Sequence, residues 1–483
     1  MKPETNEKDT QKNPAESENR HGNPLAADSV SSLLWKFSVP SIIAMLVSSL
    51  YNIVDQFFIG RGVGELGNAA TNISFPLSIS CIAIALMFGI GGASAFNIST
   101  GHGEQDPEEK KQAVYYMGNA ATLLFCCGLL LLLVTQLFLE PLLKFFGSPD
   151  NVLGYAKTYT RVVSLGFPFL ILTSGGGHLI RADGRPNISM LCNLAGAAIN
   201  TVLDALFVFG FRWGMAGAAT ATVIGQAVSG AMVIWYLVHC KTVTLNREHL
   251  IIRKKYIKRI MALGLAPCIN QLAIMIVQIV MNQSLKYYGA LSVYGEAIPL
   301  ACAGIITKIN QVFMSFIIGI SQGLQPIVSF NYGAEQYGRV KEGYLKASGC
   351  GFIISAAAFF LFQFAPRQII SIFGDGSETY YQFAENYFRI FLFFIFLNFT
   401  QKITSNFFTA IGKPKGGIFL SLTQQILFLL PLILILPLFL GIDGIMYAGP
   451  VADFTSAMVA CGMILRELRR KEYHPKYRRT KSA

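Results

Sequence analysis

The chain has 483 residues and a net charge of +12; it is 53% hydrophobic and 12% aromatic, and only 14% of its residues are charged. Its mean hydropathy is +0.47. Soluble domains carry about 25% charge, and one core rarely grows past about 250–300 residues. Composition therefore excludes a soluble fold, and the basic excess is not a nucleic-acid surface, because Lys and Arg lie in short loops rather than on one folded face.

Residues 1 to about 30 are rich in Glu, Asn, Lys and Pro and read as a solvated, disordered tail. No apolar core with a small-residue cleavage site follows, so the stretch is not a signal peptide. Twelve apolar runs of membrane-crossing length come next. They lie near 36–60, 68–99, 113–140, 155–178, 187–211 and 214–238, then 259–287, 293–321, 345–365, 384–411, 416–440 and 443–465. The expected fold is an all-α membrane protein with twelve transmembrane helices in two six-helix lobes. These cover 31–240 and 259–465, with a basic linker at 241–258 and a basic tail at 466–483. The nine cysteines fall mostly inside the runs, without a Cys-x-x-Cys pair or a Cys/His cluster, so neither a disulfide framework nor a zinc site is indicated.

Cationic loops are retained on the cytoplasmic side. The two tails and every second loop hold 29 basic residues, the alternate loops hold 8, and only Lys308 and Lys402 fall within spans. Both termini are therefore expected to be cytoplasmic, in a multi-pass protein of the cell membrane.

The halves superimpose at a nearly constant offset. Pro40 falls on Pro267 at 227; Gly89, Gly103 and Lys111 fall on Gly319, Gly333 and Lys341 at 230. Gly184 and Pro186 fall on Gly412 and Pro414 at 228, and Gly214 and Gly217 on Gly441 and Gly444 at 227. With six spans per half, these are parallel repeats about an axis along the membrane normal. Such repeats mark secondary transporters whose lobes rock around a shared site; duplication kept only for stability is the plainer alternative.

An ionisable side chain costs about 2.5–3.5 kcal/mol or more at the centre of a membrane helix. Asp55 in span 1 and Asp204 in span 5 are the clearest cases, with Asn200 one turn before Asp204 and Thr220 and Thr222 in span 6. At a rise of about 1.5 Å per residue, Asp55, Asp204 and Thr222 lie roughly 7, 10 and 12 Å below the outer ends of their spans. Asp55, Asn200, Asp204 and Thr222 thus form an oxygen cage suited to Na⁺, or a carboxyl pair that retains a proton. Each Asp meeting a separate backbone amide or water is the simpler reading. Shifted by the repeat, Asp55 lands on Asn282 and Asp204 on Leu432, so coupling is expected in the first lobe alone.

Polar stripes run along span 1, at Ser48, Tyr51, Asn52 and Asp55, and along span 7, at Gln271, Met275, Gln278 and Asn282. Each is a single helix face, read as a wall of a central substrate cavity or as helix-to-helix hydrogen bonding. Lys308 and Asp453 are further intramembrane charges with no partner assignable from sequence.

At these residues the chain resembles the multidrug and toxic compound extrusion transporters, especially their bacterial multidrug-pump branch. The resemblance rests on "VPSIIAMLVSSLYNIVDQFFIGRG", "INTVLDALFVFGFRWGMAGAATAT", "IGISQGLQPIVSFNYGAEQYGRVK" and "PVADF", across residues 36 to about 465. It implies a two-lobe exporter of organic, often cationic compounds driven by entry of H⁺ or Na⁺. The ion site of such relatives carries over to Asp55, Asn200, Asp204 and Thr222, and a span 1 proline associated with bending to Pro40. Coupling acids that other branches place in spans 7 and 10 are missing here. The expectation is a monomeric antiporter of amphipathic organic cations in the lipid bilayer, with no nucleic-acid partner and no cofactor beyond the coupling ion. Metal binding is limited to Na⁺ at those four residues.

A lipid-linked precursor flippase is the alternative; it calls for an electropositive cavity, and Lys308 is the one well-placed central base. A membrane-embedded enzyme is less supported, since His-Glu-x-x-His, GxxxxGK[ST] and Asp-rich diphosphate motifs are absent. The G-x-G-x-x-G at Gly62 to Gly67 reads as a flexible turn in an outer loop.

Overall fold

A computed structural model describes residues 24–146, 148, 150–240, 244–295, 297–371, 378–470 and 473, and among these the chain is helical with no strand. The first six long helices are α1 (Val30–Gly62), α2 (Glu65–His102), α3 (Pro107–Leu137), α4 (Asp150–Ala182), α5 (Pro186–Gly210) and α6 (Gly214–Val238). The second six are α7 (Lys254–Ala290), α8 (Ala297–Gly333), α9 (Tyr337–Phe364), α10, α11 (Pro414–Leu440) and α12 (Ile442–Leu468). In hydrocarbon each backbone N–H and C=O needs an internal partner, which a helix supplies within itself.

Eleven of these are long and apolar enough to cross a membrane. The twelfth expected span is α10, divided into α10a (Glu378–Phe391) and α10b (Ile395–Ala410). Its polarity has a physical reason: no residue of α10b is exposed, so it meets protein rather than lipid and needs no apolar coat. Its repeat partner α4 is the most enclosed of the eleven. The expected loop at Gly62–Gly67 shrinks to Val63 and Gly64, because α1 ends at Gly62 and α2 starts at Glu65.

The repeat is written in the backbone. The described glycines with positive φ are Gly64, Gly184, Gly214, Gly295, Gly412 and Gly441, three pairs one repeat apart, each at a turn between helices. Gly184 and Gly412 end α4 and α10b in the same way: the Arg185 N–H donates to Ile180 O and the Lys413 N–H to Phe408 O. A proline then opens the next helix, at Pro186 and Pro414, where its missing N–H costs nothing.

Two hydrophobic cores form, one per lobe, but the lobes exchange helix ends. Leu33, Leu34 and Phe37 of α1 are buried in the core of the second lobe, and Tyr256, Ile260 and Leu263 of α7 in that of the first. Accordingly α1 packs along α8 and α2 along α7. Glycines bring these pairs to backbone contact: Gly91 and Gly264 between α2 and α7, Gly319 and Gly323 between α8 and α1, and Gly101 and Gly333 between α2 and α8. All lie toward the side where α1 begins. On that side the tail expected over 1–30 is described from Pro24 on; there Leu25 is buried and its carbonyl accepts from Asn331 and Arg339. The linker is tied down as well. Buried Asn119 on α3 donates to His249 O and accepts from the Arg253 N–H, at 3.1 and 2.8 Å.

Candidate functional site

Three helices of the first lobe and part of a fourth converge near the side opposite the glycine contacts. Asp55 is buried on α1, Asn200 and Asp204 on α5, and Thr222 on α6. Immediately after Asp204 the α5 backbone passes into a π-helical segment, Ala205–Gly210. Such segments recur at functional sites, because the extra residue per turn displaces the preceding ladder.

The polar groups face one another. The Asp55 and Asp204 carboxyls lie close enough to feel one another's charge. Asn200 Nδ2 donates to Thr222 Oγ1 at 3.4 Å, while the Thr222 hydroxyl donates to Ala218 O at 3.0 Å. Asp55 Oδ1, Asn200 Oδ1 and both Asp204 carboxyl oxygens are buried without a donor. Four buried acceptors lacking a donor, three of them carboxyl oxygens, are costly unless a cation or proton joins them. The donor set is all oxygen, as a hard cation requires; it suits a proton shared by the two carboxyls equally well.

Tyr51, expected on the cavity wall, lies beside Thr222 and Asp55. Tyr159 of α4, which the sequence reading passed over, is buried beside Asp55, Tyr51 and Asp204. Its signal was faint: a tyrosine in a helix whose polar face shows no stripe.

The remaining cavity candidates divide. On α1, Ile43, Leu50 and Phe57 form one exposed face, and Ser48 and Asn52 are exposed on the opposite one. Only one side of the helix can face lipid, so Ser48 and Asn52 open onto internal space; Asn52 Nδ2 donates to Ser48 O at 2.9 Å. On α7, Met275 and Gln278 are half-buried and Asn282 is exposed, and Gln278 donates to Asn282 at 3.1 Å. The two stripes are not packed on each other: α1 lies along α8, and α7 along α2. Pro40 sits inside an unbroken α1, between Ser38 and Ile42, which the α8 glycines touch. Lys308 is half-buried on α8. Asp453 does have a partner, since its Oδ1 accepts from Gln424 Nε2 at 2.7 Å.

The comparisons with known proteins agree with this architecture. The multidrug export protein MepA of Staphylococcus haemolyticus is 23% identical over 433 residues, covering 89% of this chain and 92% of its own. MepA of Staphylococcus saprophyticus is 24% identical over 425 residues, covering 88% and 91%. Among solved structures, the outward-facing conformation of a multidrug resistance MATE family transporter of the MOP superfamily superimposes with a TM-score of 0.84. It has 22% identity and covers 93% of this chain and 98% of that one. A MOP superfamily transporter from Pyrococcus furiosus, described as having a binding pocket of reverse polarity, also scores 0.84, with 21% identity and the same coverage. The MatE family model matches residues 40–206 and again 267–435, two stretches whose starts are one repeat apart. The chain is a transporter and not an enzyme, and it belongs to the MatE family, the multidrug and toxic compound extrusion transporters.

Proposed function

We propose that this protein exports amphipathic organic cations in exchange for inward movement of H⁺ or Na⁺, by alternating access of its two lobes. The observation that carries this reading is the set of four donorless oxygens of Asp55, Asn200 and Asp204 in the first lobe, beside a polar, internally exposed face of α1. The named interlobe contacts gather on the side where α1 begins. With both termini cytoplasmic, as the basic loops imply, that arrangement seals the cytoplasmic side and leaves the ion site nearer the outside.

Occupation of the Asp55/Asp204 site neutralises α1 from one flank. Because the same helix presents Ser48 and Asn52 to internal space, a shift of α1 alters both sites at once, and ion entry competes with retention of the organic cation. Each charge entering down a 100 mV potential contributes about 2.3 kcal/mol, enough for roughly fifty-fold accumulation. The protein works as a monomer in the cytoplasmic membrane, with lobes at 31–240 and 259–465 as the moving units, and the coupling ion replaces any cofactor.

Efflux of a cationic dye from proteoliposomes, with pH and sodium gradients imposed separately, tests the proposal. Gradient-driven efflux that Asp55→Asn and Asp204→Asn each abolish is expected. Undiminished coupled efflux in both variants removes the ion site from the mechanism.

A further inference from the structure

The second lobe has lost the carboxylates equivalent to Asp55 and Asp204, yet it holds a polar constellation of its own. Asp453 lies near the middle of α12. That helix exposes Tyr447, Val451, Phe454, Met458 and Leu465 on one face, and Asp453 sits opposite, among buried Gly449, Ala452, Ser456 and Ala460. Its side chain is nevertheless only half-buried, so the space it meets is inside the protein. Lys402 leads to the same conclusion from another helix. It is half-buried on α10b, a helix with no exposed residue.

Gln424 of α11 holds the constellation together. Its Nε2 donates to Asp453 Oδ1 at 2.7 Å and to Asn398 Oδ1 at 3.2 Å. Its Oε1 is buried and accepts from no donor. Gln424 lies in the second π-helical segment of the chain, Thr423–Leu429, so each lobe joins a π segment to its buried polar cluster. Asn398 is one turn before Lys402 on α10b. Among the described residues Lys402 makes no ion pair or side-chain hydrogen bond, although it feels the charge of Asp453.

A Lys–Asp pair kept only for stability would close into contact, because separated charges in hydrocarbon are costly. Here Gln424, itself held by donating to Asn398, anchors the carboxylate, and the ammonium stays apart from it. A fixed positive and a fixed negative group, separated and open to internal space, complement a molecule that carries both charges. Resting on the transport reading above and extending its substrate class to molecules that carry both charges, we propose that Asn398, Lys402, Gln424 and Asp453 form a subsite for zwitterionic amphiphiles: Lys402 receives the ligand's carboxylate and Asp453 its cationic end.

A matched dye pair tests this. A rhodamine with a free carboxylate is a zwitterion, and its ethyl ester is a cation with the same rings. Efflux of each from proteoliposomes and equilibrium binding of each to purified protein, by fluorescence anisotropy, would be measured for wild type, Lys402→Met and Lys402→Arg. The expected result is that wild type moves and binds the free acid, that Lys402→Met lowers the free-acid to ester ratio at least tenfold in both measurements, and that Lys402→Arg restores most of it. A wild type that neither moves nor binds the free acid, or a ratio unchanged in Lys402→Met, overturns the subsite. Because the readout is a ratio, a general loss of folded protein does not imitate it. Absence of gradient-driven efflux for both dyes would refute the transport reading instead, while the binding ratio would still decide the subsite.

Discussion

Gly264 of α7 and Met87 of α2 meet across the two lobes so closely that a Cβ on the glycine would stand 1.7 Å from the Met87 carbonyl oxygen. Gly91 returns the contact, with a Cβ there falling 2.1 Å from Ile260 O. Both obstacles are backbone atoms, so no side-chain rotation relieves them and the helices must part. Gly264→Ala is therefore expected to shift the protein away from the conformation closed on this side. In a cysteine-free background, Ser38→Cys should react faster with a membrane-impermeant thiol reagent from that side when Gly264→Ala is added, by roughly tenfold for about 1.4 kcal/mol of shift. An unaltered labelling rate would show that this contact does not hold the lobes together.

Ser49 of α1 and Ser315 of α8 join their hydroxyls at 2.7 Å. Two cysteines there lie close enough for a disulfide after a small adjustment. Oxidising the cysteine-free Ser49→Cys/Ser315→Cys variant should stop transport, and reductant should restore it. Continued transport with the bridge formed would mean that α1 and α8 move as one body.

Tyr51 lies beside Thr222 and Asp55, in the proposed ion site. A hydrogen bond between neutral groups is worth about 0.5–1.5 kcal/mol, so Tyr51→Phe should raise the concentration of coupling ion needed for half-maximal efflux by roughly two- to tenfold, with dye affinity in the absence of the gradient little changed. A variant that instead loses dye binding at unchanged ion dependence would return Tyr51 to the cavity wall.

Asn119 is fully buried and bridges α3 to the linker through two hydrogen bonds. Asn119→Ala leaves His249 O and the Arg253 N–H without that partner, at an expected cost of about 1–3 kcal/mol. Thermal unfolding in detergent should begin several degrees lower. Restoring the transition with Asn119→Asp is not expected, because an aspartate accepts from Arg253 but cannot donate to His249 O.

The membrane fold, its repeat and the acidic pair were legible in the residues because each depends on local or periodic properties. Apolar length specifies a span, Gly and Pro spacing marks the duplicated turns, and a carboxylate within an apolar run is conspicuous because hydrocarbon penalises it. The α10 stretch was also legible as a span, although Asn398, Gln401, Lys402, Thr404 and Asn406 lower its hydropathy, and only its enclosure by other helices explains why that is tolerated.

What sequence alone determined is therefore which stretches enter the bilayer, how they repeat, and that Asp55 and Asp204 share a lobe at similar depth. Tertiary structure decided which groups meet. It set Tyr51 beside Thr222 and Asp55, brought Tyr159 beside them from a helix with no polar stripe, and supplied Asp453 with Gln424. It also crossed the ends of α1 and α7 into opposite cores. Helix rotation and packing set these relationships, and both depend on contacts between segments tens to hundreds of residues apart, which local apolarity and spacing do not encode.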